Sequence, residues 1–164
     1  MFGLIKNENL PSAENKWIYE TEEYFKIKFP QKYVEILREY NGATIIEKNL
    51  NLSNKDLIIR IGSFLSLLRE KKNEFEEGWT DIGMITSQIF DFLTENPDNL
   101  GLEIIPIIFA SGDCYICLDY RESKVDPKVC YLDTYQSEEW KPYTIEIADN
   151  FDELLKLLNI QLPN

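Results

Sequence analysis

The stretch that decides the fold is GLEIIPIIFASGDCYICLDY, residues 101–120. Its first ten residues are mostly apolar, and from Cys114 to Tyr120 the side chains alternate between two faces, which is the period of a β-strand. Between them, Ser111-Gly112-Asp113 has the composition of a tight turn. The pattern predicts two neighbouring strands joined by a turn, at the centre of an antiparallel meander.

The spacing Cys114-Tyr115-Ile116-Cys117 is also that of a redox pair or of half a zinc site. Positions three apart in a strand point to opposite faces, so these two thiols should not meet. Cys130 lies in another strand-like run, and the chain has no histidine to complete a zinc site. We therefore interpret all three cysteines as structural, each acting as a small apolar side chain.

The segments after residue 120 extend the meander and close the chain. KVCYLD (128–133) and TIEIA (144–148) read as further strands, and the turn-forming RESKVDP separates the first of them from residue 120. Apolar residues from Phe151 to Leu158 then recur at helical spacing. Asn150 and Glu153 give this last helix the start of a capping box.

The first half of the chain reads mainly as helices. A weakly amphipathic helix is predicted over residues 13–27, and a clearer one begins at Pro30 and stops at Asn41-Gly42. Another is predicted over residues 82–95, with Asp81 or Thr80 as its cap.

The segments between these helices include two strand candidates. Residues 43–46 and 57–64 read as β segments, and NLNLSNKD (49–56) between them reads as a turn. The charged run over residues 66–80 is predicted to be a surface excursion. The order of elements predicts one α+β domain spanning residues 1–164, with helices packed against a mostly antiparallel central sheet.

The charge of the chain restricts its partners. It has 29 acidic and 17 basic residues, a formal net charge of −12. Nucleic acids and anionic membranes bind clusters of Lys and Arg, so neither is an expected partner of this acidic chain. A basic protein is an expected partner. The alternative is that the acidic surface serves only solubility.

The N-terminus and the cysteine content bear on where the protein resides. MFGLIKNENL lacks the long apolar core of a signal peptide, and three cysteines in a chain of this size fit a reducing compartment. We expect a cytoplasmic location.

Little in the sequence points to catalysis. Without histidine there is no imidazole base and no Ser-His or Cys-His pair, and the scattered glycines form no phosphate-binding loop. Asp113, Asp119 and Asp133 could meet at strand ends for acid–base work or a hard metal ion, which leaves a carboxylate-based hydrolase as an alternative. We predict a protein that is not an enzyme and has no cofactor or metal site.

Four segments together resemble one family. They are FPQKYVEILREYNGA (29–43), IIPIIFASGDCYICLDYRES (104–123), KVCYLDTYQSEEW (128–140) and EIADNFDELLKLL (146–158). Their order and spacing are similar to those of the SMI1/KNR4 family of the SUKH superfamily, over about residues 14–159. Within that resemblance the stretch around residue 112 looks like a core hairpin, with Gly112 permitting the turn and Asp113 capping it or facing solvent.

The resemblance implies a fold and two possible roles. The fold is an α+β domain with a central sheet flanked by helices. Bacterial members act as immunity proteins that bind and block a cognate polymorphic toxin, often a nuclease, whereas the fungal branch regulates cell-wall synthesis through protein contacts. Neither branch implies catalysis, and we expect a free chain that is a monomer or a weak homodimer.

Exposed aromatic residues flanked by acids are the best candidates for binding a partner, because Tyr and Trp dominate interface energetics and charges set orientation and rate. Two clusters qualify. The first lies in the excursion, and the second follows the strand at 128–133. Their members are Glu74, Glu76, Glu77 and Trp79, and Asp133, Tyr135, Glu138, Glu139 and Trp140. The alternative is that both tryptophans fold back onto the core and the acids form a solvated rim.

Overall fold

The computed structural model describes residues 2–99 and 101–163, which form an antiparallel sheet with helices. The strands run in the order β1-β2-β4-β5-β6-β7-β8, and β3 pairs with β4 outside this path. Every pairing between these described strands is antiparallel, which confirms the predicted mostly antiparallel sheet, and an isolated parallel bridge joins Ser66 to Asp81. The strands are β1 (Leu4–Ile5), β2 (Thr44–Ile45), β3 (Asn49–Leu52), β4 (Leu57–Phe64), β5 (Ile104–Ala110), β6 (Cys114–Asp119), β7 (Lys128–Leu132) and β8 (Thr144–Ala148).

The predicted central hairpin is confirmed. β5 pairs with β6 from Ile104 opposite Asp119 to Ala110 opposite Cys114. Gly112 and Asp113 have φ angles of 76° and 55°, so the turn needs two left-handed residues in succession. Gly adopts this conformation without steric cost and Asp tolerates it, which explains why Gly-Asp forms this turn.

The helices confirm the α+β prediction. They are α1 (Asn15–Phe25), α2 (Gln31–Glu39), α3 (Ile82–Gln88) and α4 (Phe151–Leu157), and short 3₁₀ segments occur among the loops. Asp81 caps α3 and Asn150 caps α4, each accepting a hydrogen bond from the backbone N–H three residues later. None of the described helices is long and apolar enough to cross a membrane.

Two predictions about element boundaries were wrong. NLNLSNKD is not a turn throughout, because Asn49–Leu52 forms β3, with Leu50 and Leu52 buried and the asparagines exposed. The helix predicted over residues 82–95 ends at Gln88 and continues as a 3₁₀ segment, Phe90–Phe92. In both places the packing of apolar side chains outweighs local propensity. Leu50 and Leu52 are buried in the first case, and Leu93 is buried in the second.

The central strands of the sheet have two differently covered faces. Cross-strand partners share a face, so one face carries the row Phe64, Ile108, Ile116 and Tyr131. Tyr33 of α2 contacts Phe64 and also contacts Phe151 of α4, with ring centroids 6.2 and 5.5 Å apart. Helices α2 and α4 therefore pack on this face, and the opposite face carries Phe109, Tyr115 and Leu132.

The charged excursion is a packed element with a charged outer surface. Leu67 and Leu68 are fully buried at its start, and residues 69–74 and 76–80 form two 3₁₀ helices. Asn41 anchors its entry, because the Asn41 side chain is buried, donates to the carbonyls of Pro11 and Leu67, and accepts the Leu67 N–H at 2.8 Å. The prediction that Asn41-Gly42 merely stops a helix was therefore incomplete.

Gly42→Val should lower the free energy of unfolding by roughly 1–2 kcal/mol because of backbone strain. Gly42 has a φ of 67°, in the left-handed region that favours glycine, and it lies in the turn after α2, which ends at Glu39. A Cβ at Gly42 would also lie 2.6 Å from Leu10 Cδ1. Chemical denaturation measures the loss, and Gly42→Asn is the control, since Asn tolerates this conformation better. Equal stability of the Val variant and the parent would contradict the assignment.

Candidate functional site

The turn between β5 and β6 is the centre of the candidate site. The hydroxyl of Thr134 donates to the carbonyl of Asp113 at 3.1 Å, which holds the loop after β7 against this turn. A Cβ on Gly112 would lie 3.4 Å from Tyr135 Cε2, so the Tyr135 ring lies beside the turn. Tyr135 is 76% exposed. The second predicted cluster is thus joined to the central hairpin at this point.

The first predicted cluster reaches the same hairpin through aromatic rings packed at an angle to one another. The Trp79 ring lies 5.4 Å from that of Phe109, and Phe109 lies 5.8 Å from Tyr115, its cross-strand partner. Trp79 remains 58% exposed, so it does not fold back into the core. Burial raises the pKa of Tyr115 to about 12, so its phenol stays neutral well above physiological pH.

Trp140 occupies a tight turn in the loop between β7 and β8. The backbones of Glu138 and Lys141 exchange hydrogen bonds across this turn, and Trp140 has a φ of 60°. The backbone N–H of Trp140 donates to the carbonyl of Asp91 at 2.8 Å. The ring of Trp140 packs edge to face on Phe90, with 5.7 Å between ring centroids. Trp140 is half-buried against the 3₁₀ segment and is not part of the main core.

Helix α3 connects the two clusters. Trp79 lies shortly before α3, and Phe90 lies two residues after its end. A helix of seven residues is about 10 Å long, whereas a standard interface buries about 800 Å² on each partner. One partner can therefore cover both clusters. We refer to these rings, the rings on which they pack and the exposed acids nearby as the acidic aromatic surface: Trp79, Phe90, Phe109, Tyr115, Tyr135 and Trp140, with Glu74, Glu76, Asp113 and Glu139. Tyr115 itself is buried and supports Phe109.

The remaining predicted acids have structural partners. Glu77 accepts hydrogen bonds from the side chains of Asn7 and Asn9, at 2.6 and 3.3 Å, and so fastens the N-terminal loop to the excursion. Asp133 accepts the backbone N–H groups of Tyr135 and Gln136. Glu138 is paired with Lys141 at 3.4 Å on the open surface, where such a pair contributes little.

Phe90, Phe109 and Tyr115 were not among the predicted site residues, although they pack against the two clusters. Phe109 and Tyr115 face each other only because Ala110 pairs with Cys114, and that register is set by the turn. The predicted strand alternation could have placed Tyr115 on the face opposite Ile116. Nothing in the sequence places Trp79 next to Phe109.

Of the three aspartates considered for catalysis, Asp119 and Asp133 have structural roles. Asp119 holds Arg121 through two hydrogen bonds, at 2.6 and 2.9 Å, which raise the pKa of that guanidinium. Asp133 organises its own loop, and Asp113 is exposed in the turn. Among the residues that the structure describes, no group of three or more His, Cys, Asp or Glu side chains is placed to hold a metal ion.

The cysteines lie as the strand pattern predicted. The Cys114 thiol is directed toward residues 133 and 134, whereas Cys117 is the cross-strand partner of Cys130. All three are buried and free. Burial raises the pKa of the Cys117 thiol, so the thiolate that redox chemistry requires is disfavoured there.

Replacing Cys114 with Ser and Cys117 with Ala should leave partner binding intact. The expected cost is about 1–2 kcal/mol of stability for each buried position that loses its packing. Equilibrium binding of the double variant, with its folding checked by circular dichroism, measures this. Loss of binding in a folded double variant, or zinc in the purified parent protein, would contradict the structural interpretation.

Comparison with known proteins found one family. The family model described as SMI1 / KNR4 family (SUKH-1) matches residues 12–157, a span that contains each helix described above and all of the described strands except β1. Searches of curated proteins and of solved structures found no match.

Proposed function

The chain belongs to the SMI1/KNR4 family (SUKH-1), and from that membership we propose that it is a bacterial immunity protein. In this proposal it binds a cognate toxin one to one and neutralises it by covering the toxin's functional surface. The observation that supports the proposal is the acidic aromatic surface, in which Trp79 packs on the central hairpin through Phe109 and Tyr135 lies beside the turn of the same hairpin.

The chemistry of this surface supports binding. Trp79 and Tyr135 present most of their surface to solvent, and large exposed rings backed by other rings are typical anchors of protein interfaces. Phe109 and Tyr115 support Trp79 from the sheet, so the ring is held in place before a partner arrives. A pre-positioned anchor loses less conformational entropy on binding.

The charge supports a basic partner. The net charge is −12, and Glu74, Glu76, Asp113 and Glu139 are exposed around the rings. A nuclease binds phosphates with basic residues, so carboxylates on an inhibitor can occupy the same positions. We propose a role without catalysis, in a compartment where the chain meets the toxin before the toxin meets its target. The cytoplasm is the proposed location.

Replacing Glu138 and Glu139 with Lys should slow association with the cognate toxin by about tenfold at low salt. The effect should shrink as salt shortens the Debye length toward about 8 Å. Stopped-flow fluorescence measures the rate. The matched control is the same reversal of Asp152 and Glu153. These residues are exposed on α4, which packs on the face of the sheet opposite Phe109.

The control separates position from net charge, since both double variants change the charge equally. Equal slowing by both would show that net charge alone steers association. No slowing by the first pair would place the interface elsewhere. If a tight complex forms but the toxin stays active, the chain acts as a regulatory scaffold, as in the fungal branch of the family.

A further inference from the structure

We propose that Glu76 and Trp79 together form a receptor for an arginine side chain of the partner. This inference deepens the proposed function, since it names the group that the acidic aromatic surface accepts. It starts from the local structure of Glu76–Thr80, which is a 3₁₀ helix. Such a helix has three residues per turn, so side chains at positions i and i+3 lie directly above one another. Glu76 and Trp79 are related by that spacing and therefore lie on the same edge of the helix.

The Trp79 ring contacts Phe109 and remains largely exposed. Phe109 lies against it at 5.4 Å between centroids, with the two rings inclined at 50°. The remaining exposure of 58% leaves area for a further group to lie on the ring. The electron-rich face of Trp is the best aromatic acceptor for a cation, and the attraction increases when a partner excludes water.

The neighbouring carboxylates have different roles. Glu77 is held by Asn7 and Asn9, which fixes the 3₁₀ helix against the N-terminal loop. Glu76 is exposed and lies one 3₁₀ turn before Trp79. A fixed ring and an adjacent carboxylate together favour a cation that can stack and form two parallel hydrogen bonds.

Arginine satisfies both requirements better than lysine. The guanidinium is planar, stacks on aromatic faces and binds carboxylates with two N–H groups, whereas the ammonium of lysine is a compact and strongly hydrated charge. A basic toxin surface contains both residue types, but only arginine uses both the ring and the carboxylate. The inferred site is therefore selective among cations of equal charge.

The test uses two peptides, acetylated and amidated triarginine and trilysine, titrated into the ¹⁵N-labelled protein. The indole N–H resonance of Trp79, assigned by its loss in Trp79→Leu, reports occupancy. We expect triarginine to shift this resonance and to bind several-fold more tightly than trilysine. Glu76→Gln should weaken triarginine binding about fivefold, and Trp79→Leu should abolish the preference for arginine. The matched control is Glu74→Gln, which removes the same charge from an exposed position in the preceding 3₁₀ helix.

Equal binding of the two peptides would overturn the inference, as would equal weakening by Glu74→Gln and Glu76→Gln. The same variants tested against the cognate toxin distinguish this failure from failure of the proposed function. If the parent and Trp79→Leu bind and neutralise the toxin equally, the arginine site is wrong and the immunity role stands. If triarginine behaves as expected and no toxin is neutralised, the arginine site stands and the immunity role is wrong.

Discussion

Asp81→Ala should lower the free energy of unfolding by roughly 3–4 kcal/mol, the largest loss that we expect from a single hydrogen-bonding side chain in this protein. The Asp81 carboxylate is buried and accepts the backbone N–H groups of Leu68, Arg69 and Met84. It therefore caps α3 and fixes the entry to the excursion at the same time. Alanine leaves these donors without their acceptor in a place that water reaches poorly.

Asn150→Ala is the matched control for this prediction. Asn150 also caps a helix, but its hydrogen bond to the Glu153 N–H, at 3.0 Å, is exposed, so the expected loss is about 1 kcal/mol. Urea denaturation of both variants measures the difference. Similar losses would mean that Asp81 acts only as a helix cap and does not hold the excursion.

Gly78→Ala should cost roughly 3 kcal/mol and should also displace Trp79. A Cβ at Gly78 would overlap the carbonyl oxygen of Lys72 and lie 2.7 Å from its carbonyl carbon. Both atoms belong to the backbone, so the two 3₁₀ helices of the excursion must separate to admit one methyl group. Trp79, the next residue, then loses its position on Phe109.

Gly62→Ala provides the comparison within the sheet. A Cβ there meets its nearest neighbours, two atoms of Phe109, at 3.8 Å, an ordinary van der Waals distance. We expect the free energy of unfolding to change by less than about 0.5 kcal/mol and the intrinsic tryptophan fluorescence to stay unaltered. A Gly78→Ala variant with parental stability and parental fluorescence would show that the excursion is loosely packed.

Much of the fold follows from the sequence where local and global preferences agree. The alternation in β6, the Gly-Asp turn and the cap at Asn150 each favour the observed structure without help from distant residues. β3 was missed because Asn49 and Asn51 are typical of turns. The same stretch alternates buried leucine with exposed asparagine, and pairing with β4 decides the outcome.

The candidate site could be predicted only in part for the same physical reason. Exposed acids beside Trp79 and Trp140 are visible in the sequence, because they are close along the chain. The packing of the two clusters is not visible, since it depends on Trp79 contacting Phe109 and on Phe90 contacting Trp140. These contacts join residues far apart in sequence, and no local pattern encodes them.

The most direct test of the account titrates the toxin encoded beside this chain with the purified protein and follows both heat and toxin activity. We expect saturation at one chain per toxin, with activity lost in proportion and affinity falling as salt is added. Toxin activity that persists in the presence of excess folded protein would contradict the proposed function.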